Sequence, residues 1–295
     1  MRKPSSDAMI GAITTPPLPG WIGAAPAETL EDAAFRSGAA LAHLHLVARQ
    51  GAVPQKLWRD RLALAAAEVC MGFAGRREGA SALRDALHLT RPGDDPGPAG
   101  KVLRQWSQAV ARPISVAGLA KALDGAAPER IALCLDAVGP TPVDRAALVI
   151  EAVLTDSPRE ETGALILADA VLAKSLGQDH VLPLLSLALK TRDMRLRGDD
   201  LRLACHRSVL AGARQALPLA ADLACRAVRL RAVAPKLRAK GAARAVELFL
   251  SQDALAPSAL DFMSDRAARR LCDRLVDLGT LRELTGRDTF RLYGL

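Results

Sequence analysis

The chain has 295 residues, half of them apolar and only 3% aromatic, with 40 Lys and Arg against 32 Asp and Glu and a net charge of +8. Its length favours two or more folding units, and a composition dominated by Ala, Leu and Arg favours helices over strands, because these side chains lose little rotamer freedom in a helix. The longest apolar runs, such as the one around 181–189, are broken by Pro183 and fall short of the roughly 18 residues a spanning helix needs. No apolar signal-peptide core follows Arg2 and Lys3, and a soluble, cytoplasmic protein without membrane contact is expected.

In chain order, residues 1–25 read as a tail, with an extended, polyproline-like stretch over 14–21 that Trp21 anchors to the body. Helical periodicity then predicts helices over 29–49, 54–73, 77–89, 99–111, 115–123, 128–138, 142–154, 159–176, 180–190, 200–217 and 218–233. Ser115 and Asp179 are suited to N-caps, and Gly51, Gly72 and Gly75 to helix ends. In the 159–176 segment Leu165, Ala168, Val171, Leu172 and Leu176 form one apolar stripe, as in a helix packed on other helices. Residues 26–235 are therefore expected to form an all-α bundle.

Residues 236–295 follow a different pattern. The segment 242–250 reads as an amphipathic helix, 257–260 as a short second helix and 261–263 as a turn. Ser264 caps a third helix that ends at Gly279. In that third helix Ala267, Ala268, Leu271, Cys272, Leu275, Val276 and Leu278 face inward, leaving Arg266, Arg269, Arg270, Asp273 and Arg274 outside. After Gly279 the period changes to two over 281–285 and 289–293, around a turn at Gly286. Helix, helix, basic helix and hairpin is the order of a winged helix-turn-helix with a β-hairpin wing, with Phe249, Phe262, Phe290 and Tyr293 expected to fill its core.

Charge is distributed to match. Residues 1–191 hold 20 basic and 20 acidic side chains, whereas 192–295 hold 20 and 12, so the whole excess lies in the last third. A basic surface confined to one segment fits phosphate neutralisation. Arg266, Arg269, Arg270 and Arg274 are the candidate base-reading residues, because an α-helix fits the major groove and Arg donates two hydrogen bonds to guanine. Arg282, Arg287 and Arg291 on the hairpin, with Lys236, Arg238 and Lys240 upstream, are the candidate phosphate contacts.

Other chemistry lacks a pattern. The stretch 94–101 (DDPGPAGK) has neither the spacing nor the preceding strand of a phosphate loop and reads as a turn before a helix. His43 and His45 point to different sides of a helix, and Cys70, Cys134, Cys205, Cys225 and Cys272 are scattered among apolar residues as buried free thiols. No metal or other cofactor is expected. Asp199, Asp200 and His206, within the polar cluster 192–207, are the residues on which an unrecognised catalytic site would rest, although adjacent Asp residues after Gly198 more simply start a helix.

The stretches TPPLPGW, LRDALHLTRPGDDPGPAG (83–100), RGDDLRLACHR (197–207), RAVAPKLRAKGA (231–242) and the terminal SDRAARRLCDRLVDLGTLRELTGRDTFRLYGL resemble a family of alphaproteobacterial, often plasmid-borne proteins known as domain of unknown function 1403. The resemblance covers nearly the whole chain and brings no activity or catalytic residues with it. The terminal stretch is also similar to winged-helix ends of Fic-like and plasmid-borne helix-turn-helix proteins. The expectation is a protein that binds double-stranded DNA, acting in transcription regulation or replicon maintenance, with the helical body supplying a homodimer or partner surface. The alternatives are a helical adaptor whose hairpin meets another protein and, third, an enzyme.

Overall fold

A computed structural model describes residues 17–23, 27–91 and 93–295. Among these residues the protein is mainly helical, with α1 (Gly20–Gly23), α2 (Leu30–Ala48), α3 (Gln55–Phe73), α4 (Ala80–His88), α5 (Gly97–Ala111) and α6 (Val116–Ala122) in its first half. There follow α7 (Pro128–Leu135), α8 (Pro142–Asp156), α9 (Glu161–Ser175), α10 (Gly198–Val233), α11 (Ala242–Phe249) and α12 (Asp265–Asp277). The only sheet among the described residues pairs β1 (Arg282–Glu283) with β2 (Tyr293–Gly294). None of the described helices is long and apolar enough to cross a membrane. Most of the expected tail lies outside the described residues, but Gly20–Gly23 is a helical turn rather than extended chain, and the Trp21 ring stacks on Phe35 with centroids 5.6 Å apart.

The chain divides into two compact units. One comprises Leu18–His45 and Arg59–Ala216. At its centre lies α9, buried on all sides from Gly163 to Ala173 rather than along the single stripe expected, and packed mainly on α8. Local signals set the flanking helices. Ser115 Oγ accepts from Gly118 N–H at 3.1 Å and Thr141 Oγ1 from Asp144 N–H at 3.1 Å, each satisfying an amide left unpaired at a helix start. Before α5, Asp95 accepts from Gly97 N–H (2.9 Å) and pairs with Lys101 (2.9 Å), the turn expected in place of a phosphate loop.

Residues 180–190 are not the expected helix. Pro183 has no N–H to donate, and the completely buried Asp169 of α9 takes the next three amides instead: Leu184 (3.1 Å), Leu185 (2.9 Å) and Ser186 (3.3 Å), together with the Ser186 hydroxyl (2.7 Å). Asp179 is no N-cap; its carbonyl accepts from Ile114 N–H at 2.7 Å. The irregular segment runs close against α10 because Gly212 has no side chain, and a Cβ there would stand 2.3 Å from the Leu184 carbonyl oxygen. Helix α10 is one continuous helix rather than the two expected, with Pro218 inside it. Although proline removes one helical hydrogen bond, the helix is buried on both sides of it at Val209, Ala213, Ala216, Leu217, Ala220 and Leu223, and this packing outweighs the local break.

The other unit contains Leu46–Trp58 and Leu217–Leu295 within its bounds. Its buried residues include Phe249, Leu250, Leu255, Leu260, Leu271, Leu275, Leu292 and Tyr293. The expected second helix is a single 3-10 turn over Pro257–Ala259. Residue Leu255 forms an antiparallel bridge with Tyr293, exchanging both backbone hydrogen bonds at 2.9 and 2.8 Å, so β2 lies between β1 and Leu255.

Candidate nucleic-acid interface

Helix α12 starts where the Ser264 side chain accepts from Ala267 N–H (3.4 Å), with Asp265 at the positive end of the helix dipole. It stops at Gly279, whose φ of +67° is a left-handed angle that glycine adopts at no steric cost. Ala268, Leu271, Cys272 and Leu275 are buried, whereas Leu278, expected inward, is half-exposed. Outside stand Arg266, Arg269, Arg270 and Arg274. Arg269 is held by Asp265 at 3.0 Å. Arg266, Arg270 and Arg274, one helical turn apart, have no ion-pair partner among the described residues. Asp273 and Asp277 share this face, and Asp273 accepts from the Tyr293 hydroxyl at 3.3 Å. Burial pushes the Tyr293 phenol up, which keeps it a neutral donor.

The hairpin is shorter than its alternating sequence implies. Register pairs Arg282 with Gly294 and Glu283 with Tyr293, and beyond these Leu284 N–H donates to Leu292 O (2.8 Å). The rest is a compact loop. Glu283 accepts from the amides of Thr285 and Gly286, each at 2.7 Å, and from the Thr285 hydroxyl. Burial disfavours the Glu283 charge, but these hydrogen bonds outweigh it and hold the carboxyl below its usual range. Phe290, expected in the core, is 75% exposed with φ +55°, an unusual angle for a bulky side chain. Phe249 and Tyr293 do fill the core, while Phe262 is half-buried beneath the Arg244 guanidinium at 4.3 Å.

Three candidate phosphate ligands on the hairpin stand in different surroundings. Arg282 is exposed and has no ion-pair partner among the described residues. Arg287 is half-buried, and Arg291 is bound into the loop, donating from Nε to Arg287 O (2.9 Å) with its guanidinium 3.6 Å from Asp288. Upstream, Lys236, Arg238 and Lys240 are exposed around the turn after α10.

The 192–207 cluster is organised differently from the sequence expectation. His206 meets neither Asp199 nor Asp200; Ser37 Oγ lies 2.7 Å from its Nδ1 and Asp144 Oδ1 3.9 Å from its Nε2. Asp199 pairs with Arg202 (2.7 Å), which also holds Asp144 (2.7 Å). Ser, His and Asp in this order resemble a nucleophile relay, a constellation invisible in the sequence because its members lie 169 and 62 residues apart. The geometry opposes that role. Ser37, His206 and Asp144 are 1, 3 and 3% exposed, and the Ser37 hydroxyl donates to Ala34 O at 3.1 Å, which leaves Nδ1–H as the donor to Ser37. Burial pushes the imidazole down and keeps it neutral, so the group ties α2, α8 and α10 together. Among the described residues no cluster of His, Cys, Asp or Glu could hold a metal ion.

The chain belongs to the family described as protein of unknown function (DUF1403), whose model matches residues 7–295. Neither curated proteins nor solved structures include a match to it.

Proposed function

We propose that the protein binds double-stranded DNA through a winged helix formed by its C-terminal residues, and that this binding serves transcription regulation or replicon maintenance. The observation that carries the reading is the row Arg266, Arg270 and Arg274, exposed and without ion pairs among the described residues, directly opposite the buried stripe of α12. Order supports it too: helix α11, the bridging residue Leu255, a one-turn second helix, α12, β1, a loop and β2 reproduce the sequence of elements in a winged helix, with Leu255 as its short first strand. In such a module α12 lies in the major groove, its N-terminal Arg266 and Arg270 reaching guanine edges. Arg282, Lys236, Arg238 and Lys240 then serve as phosphate contacts.

One feature favours a protein partner instead. Asp273 and Asp277 lie among the arginines of the outer face, and mixed charge suits a protein surface better than a phosphate backbone. Titration of the full chain on generic duplexes at several salt concentrations separates the two. DNA binding gives an affinity that falls linearly with salt on a logarithmic scale, with a slope set by the number of phosphates neutralised. Absence of duplex binding even at low salt overturns the DNA reading and leaves the protein partner.

A further inference from the structure

Outside the C-terminal unit, the segment 188–196 and the first turns of α10 enclose an open cleft of about 370 Å³. Its apolar lining comes from Ala188, Leu196, Leu203, Ala204 and Ala211, and its polar groups are unevenly satisfied. Asp193 accepts from Lys190 N–H (2.9 Å) and stands 3.6 Å from Arg192, so its charge is largely engaged. Arg207 donates to the carbonyls of Ala27 (2.7 Å) and Glu28 (3.4 Å), which fixes its guanidinium beside the cleft. Lys190 and Asp200 have no ion-pair partner among the described residues.

The telling residue is Ser208. It is only 4% exposed, lines the cleft, and has no hydrogen-bond partner among the described residues. A hydroxyl this deeply buried normally has a protein partner, and one without it depends on whatever occupies the space it reaches. Among the described residues the Ser208 oxygen is not one of the sealed, unpaired polar atoms, so it reaches accessible space, and the cleft that Ser208 lines is such a space.

From this arrangement we infer that the cleft binds a small metabolite carrying an oxyanion, its carboxylate or phosphate held by Lys190, Arg192 and Arg207 and an adjacent hydroxyl or amine reaching Ser208 and Asp200. Lys190, Arg192 and Arg207 stand against Asp193 and Asp200, and with Asp193 engaged by Arg192 the balance around the cleft remains positive, which favours an anion; a guanidinium fixed by two carbonyls is preorganised to meet one. The volume lies near the lower end of the roughly 300 to 1,000 Å³ of small-molecule sites. This inference is independent of the duplex reading, since every residue it uses lies in the other unit.

The test uses the full chain, without DNA, in titration calorimetry with inorganic phosphate, lactate and serine, and with tetramethylammonium as a probe of opposite charge. Phosphate and at least one of the two carboxylates are expected to bind one to one, and the stronger oxyanion identifies the natural headgroup. Lys190→Ala, at an exposed position, is expected to weaken every oxyanion roughly tenfold through loss of one charge-assisted hydrogen bond. Ser208→Ala is expected to weaken lactate and serine while leaving phosphate unchanged. Failure of all three oxyanions to bind, tighter binding of tetramethylammonium than of any of them, or oxyanion affinities untouched by Lys190→Ala overturns the inference. Thermal unfolding of the unliganded variants, expected to match the parent chain, separates loss of the site from loss of the fold.

Discussion

Asp169 shows how one side chain determines a segment's conformation. A carboxylate accepting three backbone amides and a hydroxyl converts an apolar run of helical appearance into an ordered loop. Burial pushes its carboxyl up to about 6, against the hydrogen bonds that favour the charge, while an unfolded chain has about 3.9. With the folded value raised, the contribution of the group to stability is fully present below about pH 4 and is lost as the pH rises through about 6. Asp169→Asn cannot accept from four donors and is expected to cost about 1 to 3 kcal/mol near neutral pH. Because the amide does not titrate, the parent's advantage over this variant should shrink by up to ~1.4 kcal/mol per unit between about pH 4 and 6. Urea unfolding of both proteins across that range measures it. Phe290 gives a second expectation at this scale. With φ at +55° and the ring 75% exposed, Phe290→Gly relieves a left-handed strain of about 1 kcal/mol at little cost in packing, and a rise in the denaturation midpoint is the outcome that checks it.

At the scale of elements, α12 and the β1–β2 loop make separable contributions if the duplex reading holds. Arg266→Ala or Arg270→Ala should cost about 1 to 3 kcal/mol on a preferred site and relax its sequence choice, since base contacts are lost. Arg282→Ala should weaken all duplexes alike and lower the salt slope by about one unit. Sequence-blind losses at all three would reduce α12 to an electrostatic surface. That α12 was legible in the sequence has a physical reason: cap, apolar stripe, exposed Arg row and terminal Gly279 all act within one helix, so their spacing suffices. The segment 180–190 was not, because its deciding partner sits on another helix. Nor was the continuity of α10 through Pro218, where packing overrides local preference. In the hairpin, period two over 281–285 and 289–293 pointed to a β-hairpin but not to its extent, because beyond Glu283 the chain turns into a loop whose amides are taken by the Glu283 carboxylate.

For the whole molecule, the cysteines offer a direct probe. All five are free, and Cys70, Cys134, Cys205 and Cys272 are buried while Cys225 is half-buried. Burial pushes the Cys70 thiol up to about 11 and that of Cys272 to about 12, so neither forms a reactive thiolate near neutrality. Maleimide labelling of the folded protein should therefore modify Cys225 first and the other four only at the rate of opening. Simultaneous labelling of all five under native conditions would contradict this packing. Apolar neighbours in the sequence indicated burial of these thiols. The site around His206 was hidden for the opposite reason, since residues from three distant segments meet there.

Those distant meetings govern how the protein is made. Ser37 waits for His206, 169 residues later, and Ala27 for Arg207, 180 residues later. Synthesis at about 5 to 20 residues per second places an interval of roughly ten to thirty seconds between the emergence of α2 and that of its partner helix. During that interval Ala40, which in the finished protein is buried in one cluster with Ala213 of α10, has no α10 to pack against. Completion of the packing around α2 is thus timed by the ribosome's arrival at α10.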